Sequence, residues 1–308
     1  MKVFFAGSPP SSALILELLT KHGIVPSLVI TQPDRPYGRN RKIKPSEVSI
    51  QADKLGIRTV KPEKLDEQFI KLISEYGKPD FLLVSAYGKI LPSRLLKLPT
   101  IAPINVHFSI LPKYRGASPI QESLLNGDFE FGYSIMKMDK GLDTGPVYFS
   151  KKIQCGDYET KIDIEKKIAF DAANELPTIL RSIATGKLFA AEQKGENISI
   201  CAKVTKASGL ITHDLSSSKI HNMFRAYFDW PGIYFLFRSL NIKVHGLEVV
   251  STENLPDFKV KKNIIFNNKL YFKTLDGAIV ITHLQVPGKK AISSTDFINS
   301  NQKIFEEL

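Results

Sequence analysis

Three side chains in this 308-residue sequence are of types, and at spacings, that could do chemistry together: Asn105, His107 and Asp143. In the run I-N-V-H, residues 104–107, Asn105 and His107 are separated by one residue, and side chains so related in a strand project to the same side. A carboxamide and an imidazole would then share one face at the strand's end. After Ser109 the chain meets Pro112, which stops the strand, and a K-Y-R-G turn leads into a helix-like segment. Further along, M-D-K-G-L-D-T-G-P, residues 138–146, sets Asp143 between Gly141 and Gly145, whose backbone freedom allows a loop to approach the strand end closely. A His–Asp pair beside a carboxamide can move a proton and donate hydrogen bonds to an oxygen that gains charge. Taken singly, a His near a strand end or an Asp in a glycine loop is more often structural. The reading rests on the two segments together.

The elements around these residues say where such a site must lie. Apolar runs at Val3–Ala6, Ile24–Ile30, Phe81–Ala86 and Ile104–His107 alternate with helical patterns, Leu14/Ile15/Leu18/Leu19 and Leu65/Phe69/Leu72/Ile73/Tyr76. Alternating strands and helices predict an α/β fold: a Rossmann-like, mostly parallel sheet with helices on both faces. In such a sheet, reactive groups sit just past the carboxyl ends of the strands. From Thr160 to Thr185 the positions Ile164, Ile168, Ala172, Leu176, Ile179 and Ile183 predict one long helix containing Pro177 and ended by Gly186. Residues 187–202 have little periodicity and read as a linker. Past a helix around Ser218–Phe228, β-type runs recur: Ile233–Phe237, Lys243–Val250, Ile264–Phe266, Leu270–Phe272 and Ala278–Leu284. A smaller C-terminal β-barrel, OB-like in type, packs them most simply. The expected domains are 1–186 and 203–308.

Composition narrows the class of protein. The formal charge is +11, and basic residues exceed acidic ones by six over residues 1–202 and by five over 203–308, so no single basic tail carries the excess. Such a balance favours a polyanionic partner. Cys155 and Cys201 fit no metal-ligand or redox spacing and suit a reducing, cytoplasmic compartment. His22, His213, His221, His245 and His283 have no metal-ligand spacing either, and no metal is expected. Pro9, Pro10 and Glu17 interrupt the apolar start, so it reads as a buried strand and helix rather than a secretion signal. No stretch suggests a membrane span.

The segments H-x-S-x-L-P (107–112) and D-x-G-x-D-T-G (139–145) resemble those of the folate-dependent formyltransferase family, in particular the branch that acts on methionyl-tRNA. The resemblance runs through F-A-G-S-P (5–9), T-Q-P-D-R-P-Y-G-R-N-R-K (31–42), A-Y-G-K-I-L-P (86–92) and P-G-K-K-A-I (287–292). It implies formyl transfer from 10-formyltetrahydrofolate to the α-amino group of methionine on initiator tRNA, by a monomer without a nucleotide cofactor. It implies that Asn105, His107 and Asp143 are the catalytic residues. The folate would lie against Ala86, Tyr87, Gly88, Ile90 and Leu91, and against Ser109, Ile110, Leu111 and Pro112. In that reaction the Asn105 amide and a protonated His107 would donate to the oxygen of a tetrahedral intermediate, and Asp143 would accept the amine's proton, directly or through water. The proton for the leaving folate nitrogen would come from His107 or a bound water.

The segment from Arg35 to Lys44 has five basic residues in ten, follows a strand end, and resembles the family's acceptor-stem loop. Arg35, Arg39, Arg41, Lys42 and Lys44 are the expected tRNA contacts there, with Lys203, Lys206, Arg225, Lys243, Lys289 and Lys290 as backbone contacts in the second domain. Two competing readings are weaker. A sugar-nucleotide formyltransferase, or the hydrolase domain of formyltetrahydrofolate dehydrogenase, shares the H-x-S-x-L-P theme but not the basic loop. A non-catalytic RNA-binding protein leaves the Asn/His/Asp grouping unexplained. A dinucleotide-dependent dehydrogenase is excluded because F-A-G-S-P-P lacks the G-x-G-x-x-G glycines, and no Walker sequence is present.

Overall fold

A computed structural model of the chain describes residues 1–37, 42–195, 197–251 and 263–300. The chain divides into two compact units, the first made of residues 1–120, 129–156 and 163–202 and the second of 121–128, 157–162 and the chain from 203 onward.

The first unit begins with β1 (Val3–Gly7), α1 (Pro10–Lys21) and β2 (Leu28–Ile30). A small hairpin follows, β3 (Arg35–Tyr37) and β4 (Lys42–Lys44), and then α2 (Glu47–Lys54), β5 (Thr59–Val60) and α3 (Glu67–Ser74). Next come β6 (Phe81–Ser85), α4 (Ser93–Leu96), β7 (Ala102–His107), α5 (Pro119–Leu125), of which only the first two residues belong to this unit, β8 (Glu130–Lys137), β9 (Val147–Gln154) and α6 (Lys161–Ala184). Side chains accept backbone hydrogen bonds at two helix starts, Ser46 from the Ser49 amide and Asp66 from the Phe69 amide. The main sheet has the strand order β5-β2-β1-β6-β7-β8-β9. It is parallel from β5 to β7 and antiparallel across β7–β8 and β8–β9. Every residue of β1 and β6 is buried, as strands covered on both faces require.

Strand order reverses at β1, with β2 on one side and β6 on the other, so the crevice past the carboxyl ends of β1 and β6 is the expected place for a ligand. β7 is the next strand, with Asn105 in register with Val84 of β6. Gly7 ends β1 where no side chain fits: a Cβ there would lie 2.8 Å from the Ser12 Cβ and 2.9 Å from the Ser85 carbonyl oxygen. α1 therefore packs tight against the switch point, and Ser12 donates its hydroxyl to that same carbonyl at 2.6 Å.

Residues 187–202, expected as a linker, belong to the first unit. The Val147 and Ala191 backbones exchange two hydrogen bonds (2.8 and 2.9 Å), and the Arg115 amide and carbonyl pair with Ser199 and Cys201. The composition is polar because the segment runs over the surface. Among its described residues the backbone is nonetheless hydrogen-bonded, Ala191 to the edge strand β9 and Ser199 and Cys201 to Arg115. The second unit also gains residues 121–128 and 157–162, which the expected boundary placed in the first.

The second unit contains α7 (Ser217–Ala226), β10 (Ile233–Phe237), β11 (Leu240–Val249), β12 (Asn263–Phe266), β13 (Lys269–Lys273), β14 (Ala278–Gln285), β15 (Ile292–Ser293) and α8 (Ser294–Ser300). Its strands form an antiparallel half-barrel of order β10-β11-β14-β13-β12, with β15 on β14. Among the described residues no pairing joins β10 to β12. Neither unit has, among its described residues, a helix long and apolar enough to cross a membrane.

A Cβ at position 7 forces movement of two backbone segments. Gly7→Ala should therefore lower stability by about 1–3 kcal/mol, read as a reduced denaturant midpoint at unchanged slope; an unchanged midpoint would mean that α1 is not held this close.

Candidate active site

β7 presents Asn105 and His107 on one face, and the loop between β8 and β9 brings Asp143 to them. The Asn105 amide nitrogen lies 3.4 Å from Asp143 Oδ1, and His107 Nδ1 lies 3.6 Å from Asp143 Oδ2. The second separation is longer than a direct hydrogen bond. His107 is buried, and its Nε2 lies 2.9 Å from the Tyr114 carbonyl oxygen. A carbonyl can only accept, so Nε2 carries a hydrogen, and Nδ1 is the nitrogen turned toward the carboxylate.

Asp143 is held from several directions. Its backbone lies in the left-handed region with φ of 52°, a conformation uncommon for a residue with a side chain. The Gly116 amide donates to Oδ2 at 2.8 Å, while Gln193 Nε2 donates to the Asp143 and Gly145 carbonyl oxygens at 2.8 and 2.7 Å. Asp139 closes the start of the loop, accepting from the Gly141 amide at 2.9 Å and from the Thr144 hydroxyl at 2.8 Å. At the loop's end a Cβ on Gly145 would overlap the Lys137 carbonyl oxygen. The bracketing glycine thus allows the close approach that its position suggests. Among the described residues Oδ1 is the less engaged carboxylate oxygen, with the long contact to Asn105.

The structure places the expected folate residues in two neighbouring segments. Ala86, with φ of 44°, and Gly88, with φ of 80°, follow β6 directly and are exposed, as is Ile90 at 94 %. The Tyr87 and Leu91 side chains instead belong to the core built around Phe4, Leu28 and Leu82. Burial pushes the Tyr87 phenol up to about 12, and among the described residues its hydroxyl has no hydrogen-bond partner. The Tyr87 carbonyl accepts from Gln32 Nε2 at 3.0 Å. In the second segment, the Ser109 hydroxyl donates to the Lys113 carbonyl at 2.7 Å. Ser134 donates to the Ser109 carbonyl and accepts from the Leu111 amide, which ties the 109–112 turn to β8. Leu111 is buried, Ile110 and Pro112 are half-buried, and the Leu111–Pro112 bond is cis.

At the two ends of the basic segment 35–44, β3 and β4 pair antiparallel, Arg35 with Lys44 and Tyr37 with Lys42. Lys42 and Lys44 are exposed, and carboxylates arrive from outside the run, Glu63 at 3.8 Å from Arg35 and Glu47 at 2.7 Å from Lys44. Arg39 and Arg41 lie outside the described residues. Lys203, Lys206, Lys243, Lys289 and Lys290 are exposed. Arg225, expected among the phosphate contacts, is corrected by its surroundings: it is 4 % exposed, and its Nε donates to the Glu159 carbonyl at 2.9 Å. It lies on the buried side of α7, where helical phase and not charge decides its direction. Cys155 and Cys201 are free thiols. Among the described residues no group of three or more His, Cys, Asp or Glu side chains could hold a metal ion.

An open, mostly parallel sheet with an amide, an imidazole and a carboxylate gathered at the end of one strand defines an α/β enzyme. Comparison with known proteins gives the particular kind. Residues 1–180 match the formyl transferase family model and residues 203–302 match the model of the formyl transferase C-terminal domain, so the chain belongs to the formyl transferase family. It is 38 % identical to a methionyl-tRNA formyltransferase of Dictyoglomus thermophilum and 34 % identical to one of Caldicellulosiruptor saccharolyticus, in both cases over 97 % of this chain and 96 % of the relative. In fold it is similar to an N-formyltransferase of Helicobacter canadensis solved with folinic acid and dTDP-3-aminofucose, with a TM-score of 0.66 and 19 % identity over 91 % of this chain and 98 % of that one.

The burial of Arg225 has a measurable consequence. Replacing it with Met removes a charge-assisted hydrogen bond and should cost about 1.5–3 kcal/mol of stability in a denaturant titration; a surface phosphate contact would leave the titration unchanged.

Proposed function

We propose that the chain transfers a formyl group from 10-formyltetrahydrofolate to the α-amino group of methionine on initiator tRNA, giving N-formylmethionyl-tRNA for translation initiation. The observation that carries the reading is the convergence of Asn105, His107 and Asp143 at the end of β7. The full-length similarity to methionyl-tRNA formyltransferases supports the acceptor, and the folinic acid bound to the Helicobacter canadensis relative supports a folate donor.

The amine nitrogen attacks the formyl carbon, the carbonyl oxygen gains negative charge, the bond from carbon to the folate nitrogen breaks, and the amine's proton ends on that nitrogen. Asn105 supplies a donor for the oxygen, and His107, whose Nε2 hydrogen is taken by the Tyr114 carbonyl, supplies a second through Nδ1 in its protonated form; such donors are worth more in a partly buried site than in water. Asp143 Oδ1, the oxygen not bonded to Gly116, accepts the amine's proton directly or through one water. Donors fixed before the reaction need no reorganisation during it, so side chains already tied to the backbone suit the task.

The folate lies along the exposed backbone of Ala86, Gly88 and Ile90, with Tyr87 and Leu91 shaping the wall from the core side and the Ser109–Pro112 turn opposite. The Arg35–Lys44 segment takes the acceptor arm of the tRNA through Arg35, Arg39, Arg41, Lys42 and Lys44, and Lys203, Lys206, Lys243, Lys289 and Lys290 contact phosphates. The enzyme works as a monomer in the cytoplasm, and the donor set of amide, imidazole and carboxylate performs the reaction without a metal or nucleotide.

The test is transfer of labelled formyl from 10-formyltetrahydrofolate to purified methionyl-tRNA, with a sugar-nucleotide amine as the alternative acceptor. Transfer to the sugar alone would overturn the proposed acceptor. Asn105→Ala, His107→Ala and Asp143→Ala should each stay folded and lose about 10²–10³ in turnover; near-normal turnover removes that residue from the site. Each phosphate contact contributes about one unit to the log–log slope of affinity against salt. A variant with Arg39, Arg41, Lys42 and Lys44 changed to Gln should flatten the slope accordingly, and an unchanged slope rules out direct phosphate contact.

A further inference from the structure

Gln193 lies in the segment after α6, outside the residues that the family resemblance singles out. Its side-chain amide is fully used. Oε1 accepts from Arg115 Nε at 3.0 Å and from Arg115 Nη2 at 2.7 Å, and Nε2 donates to the Asp143 and Gly145 carbonyls at 2.8 and 2.7 Å. Chemistry fixes this orientation, because a guanidinium only donates and a carbonyl only accepts. The residue after Arg115 is Gly116, whose amide holds the Asp143 carboxylate at 2.8 Å. One side chain therefore closes a ring: Gln193 grips Arg115, Gly116 grips the carboxylate of Asp143, and the backbone of Asp143 returns to Gln193.

We propose that Gln193 is a positioning residue for formyl transfer, fixing Asp143 in its left-handed conformation so that Oδ1 stays directed at the reacting amine. The assignment rests on the reading of Asp143 as a catalytic group. A residue with a side chain at φ of 52° is disfavoured by itself and persists only where its surroundings over-determine it. Two donated hydrogen bonds to the carbonyls at and just after that residue supply such a restraint. The geometry also places the restraint in the stretch that joins the segments matching the two family models, residues 1–180 and 203–302.

Two measurements on Gln193→Ala and Gln193→Glu test this. Glu keeps the length and the acceptor for Arg115 but has no donor for the two carbonyls, so a role confined to Arg115 predicts rescue by Glu, whereas positioning of Asp143 predicts none. In both variants the Gly116 amide, followed by hydrogen exchange, should exchange at least about tenfold faster while the amides of β1 remain protected. Displacement of a reacting group by about 1 Å can cost up to ~10²-fold in rate, so kcat should fall tenfold or more with KM for folate and tRNA nearly unchanged. Unchanged exchange at Gly116, or normal kcat with Glu, overturns the proposal. Fast exchange at Gly116 with normal kcat in both variants shows instead that Asp143 is held by Gln193 but takes no part in the reaction. Should Gln193→Ala lose protection in β1, Gln193→Met fills the same space without hydrogen bonds and answers the same question.

Discussion

The arrangement depends on one carboxylate held in an unfavourable place. Asp143 has the backbone conformation that glycine adopts freely, and a non-glycine residue there costs on the order of 1–3 kcal/mol. The surroundings offset that cost. The Gly116 amide anchors one carboxylate oxygen, Asn105 reaches the other from β7, and the loop on either side is tied down by Asp139 and by the absence of a side chain on Gly145. Were the loop to relax, His107 would still meet Tyr114, but no acid–base group would remain beside it.

The sheet explains why these groups meet at all. β7 lies between the parallel part of the sheet and its antiparallel extension; β8 runs antiparallel beside it and ends at Lys137 next to Ile104, and the loop from β8 to β9 folds back along β7 to bring Asp143 to Asn105 and His107. The buried strands β1 and β6 and the close contact at Gly7 give the crevice a rigid floor.

Much of this was legible in the sequence, and the parts that were not share a cause. The alternation of Asn105 and His107 along β7, the glycines around Asp143 and the apolar period of α6 are local signals, and each has its counterpart in the structure. In the second unit the β-type runs correspond to β10 through β14 within a residue or a few at their ends. Gln193 carried no such signal: a glutamine in a polar stretch has no periodicity, and its partners Arg115 and Asp143 are remote in sequence. The same holds for the stretch after α6, where Ala191 pairs with β9 and Ser199 and Cys201 with Arg115, contacts that a polar composition does not announce. Arg225 shows the opposite case: its charge points to a polyanion, but its position on α7 buries it.

In the proposed reaction an amide, an imidazole and a carboxylate act on one carbonyl as a unit. Single-turnover formyl transfer by Asn105→Ala, Asp143→Ala and the double variant is the decisive experiment. Groups that serve one transition state lose their effect together, so the double variant should be slower than the worse single variant by less than about tenfold. Losses that multiply in full would show two residues acting independently and would contradict the account.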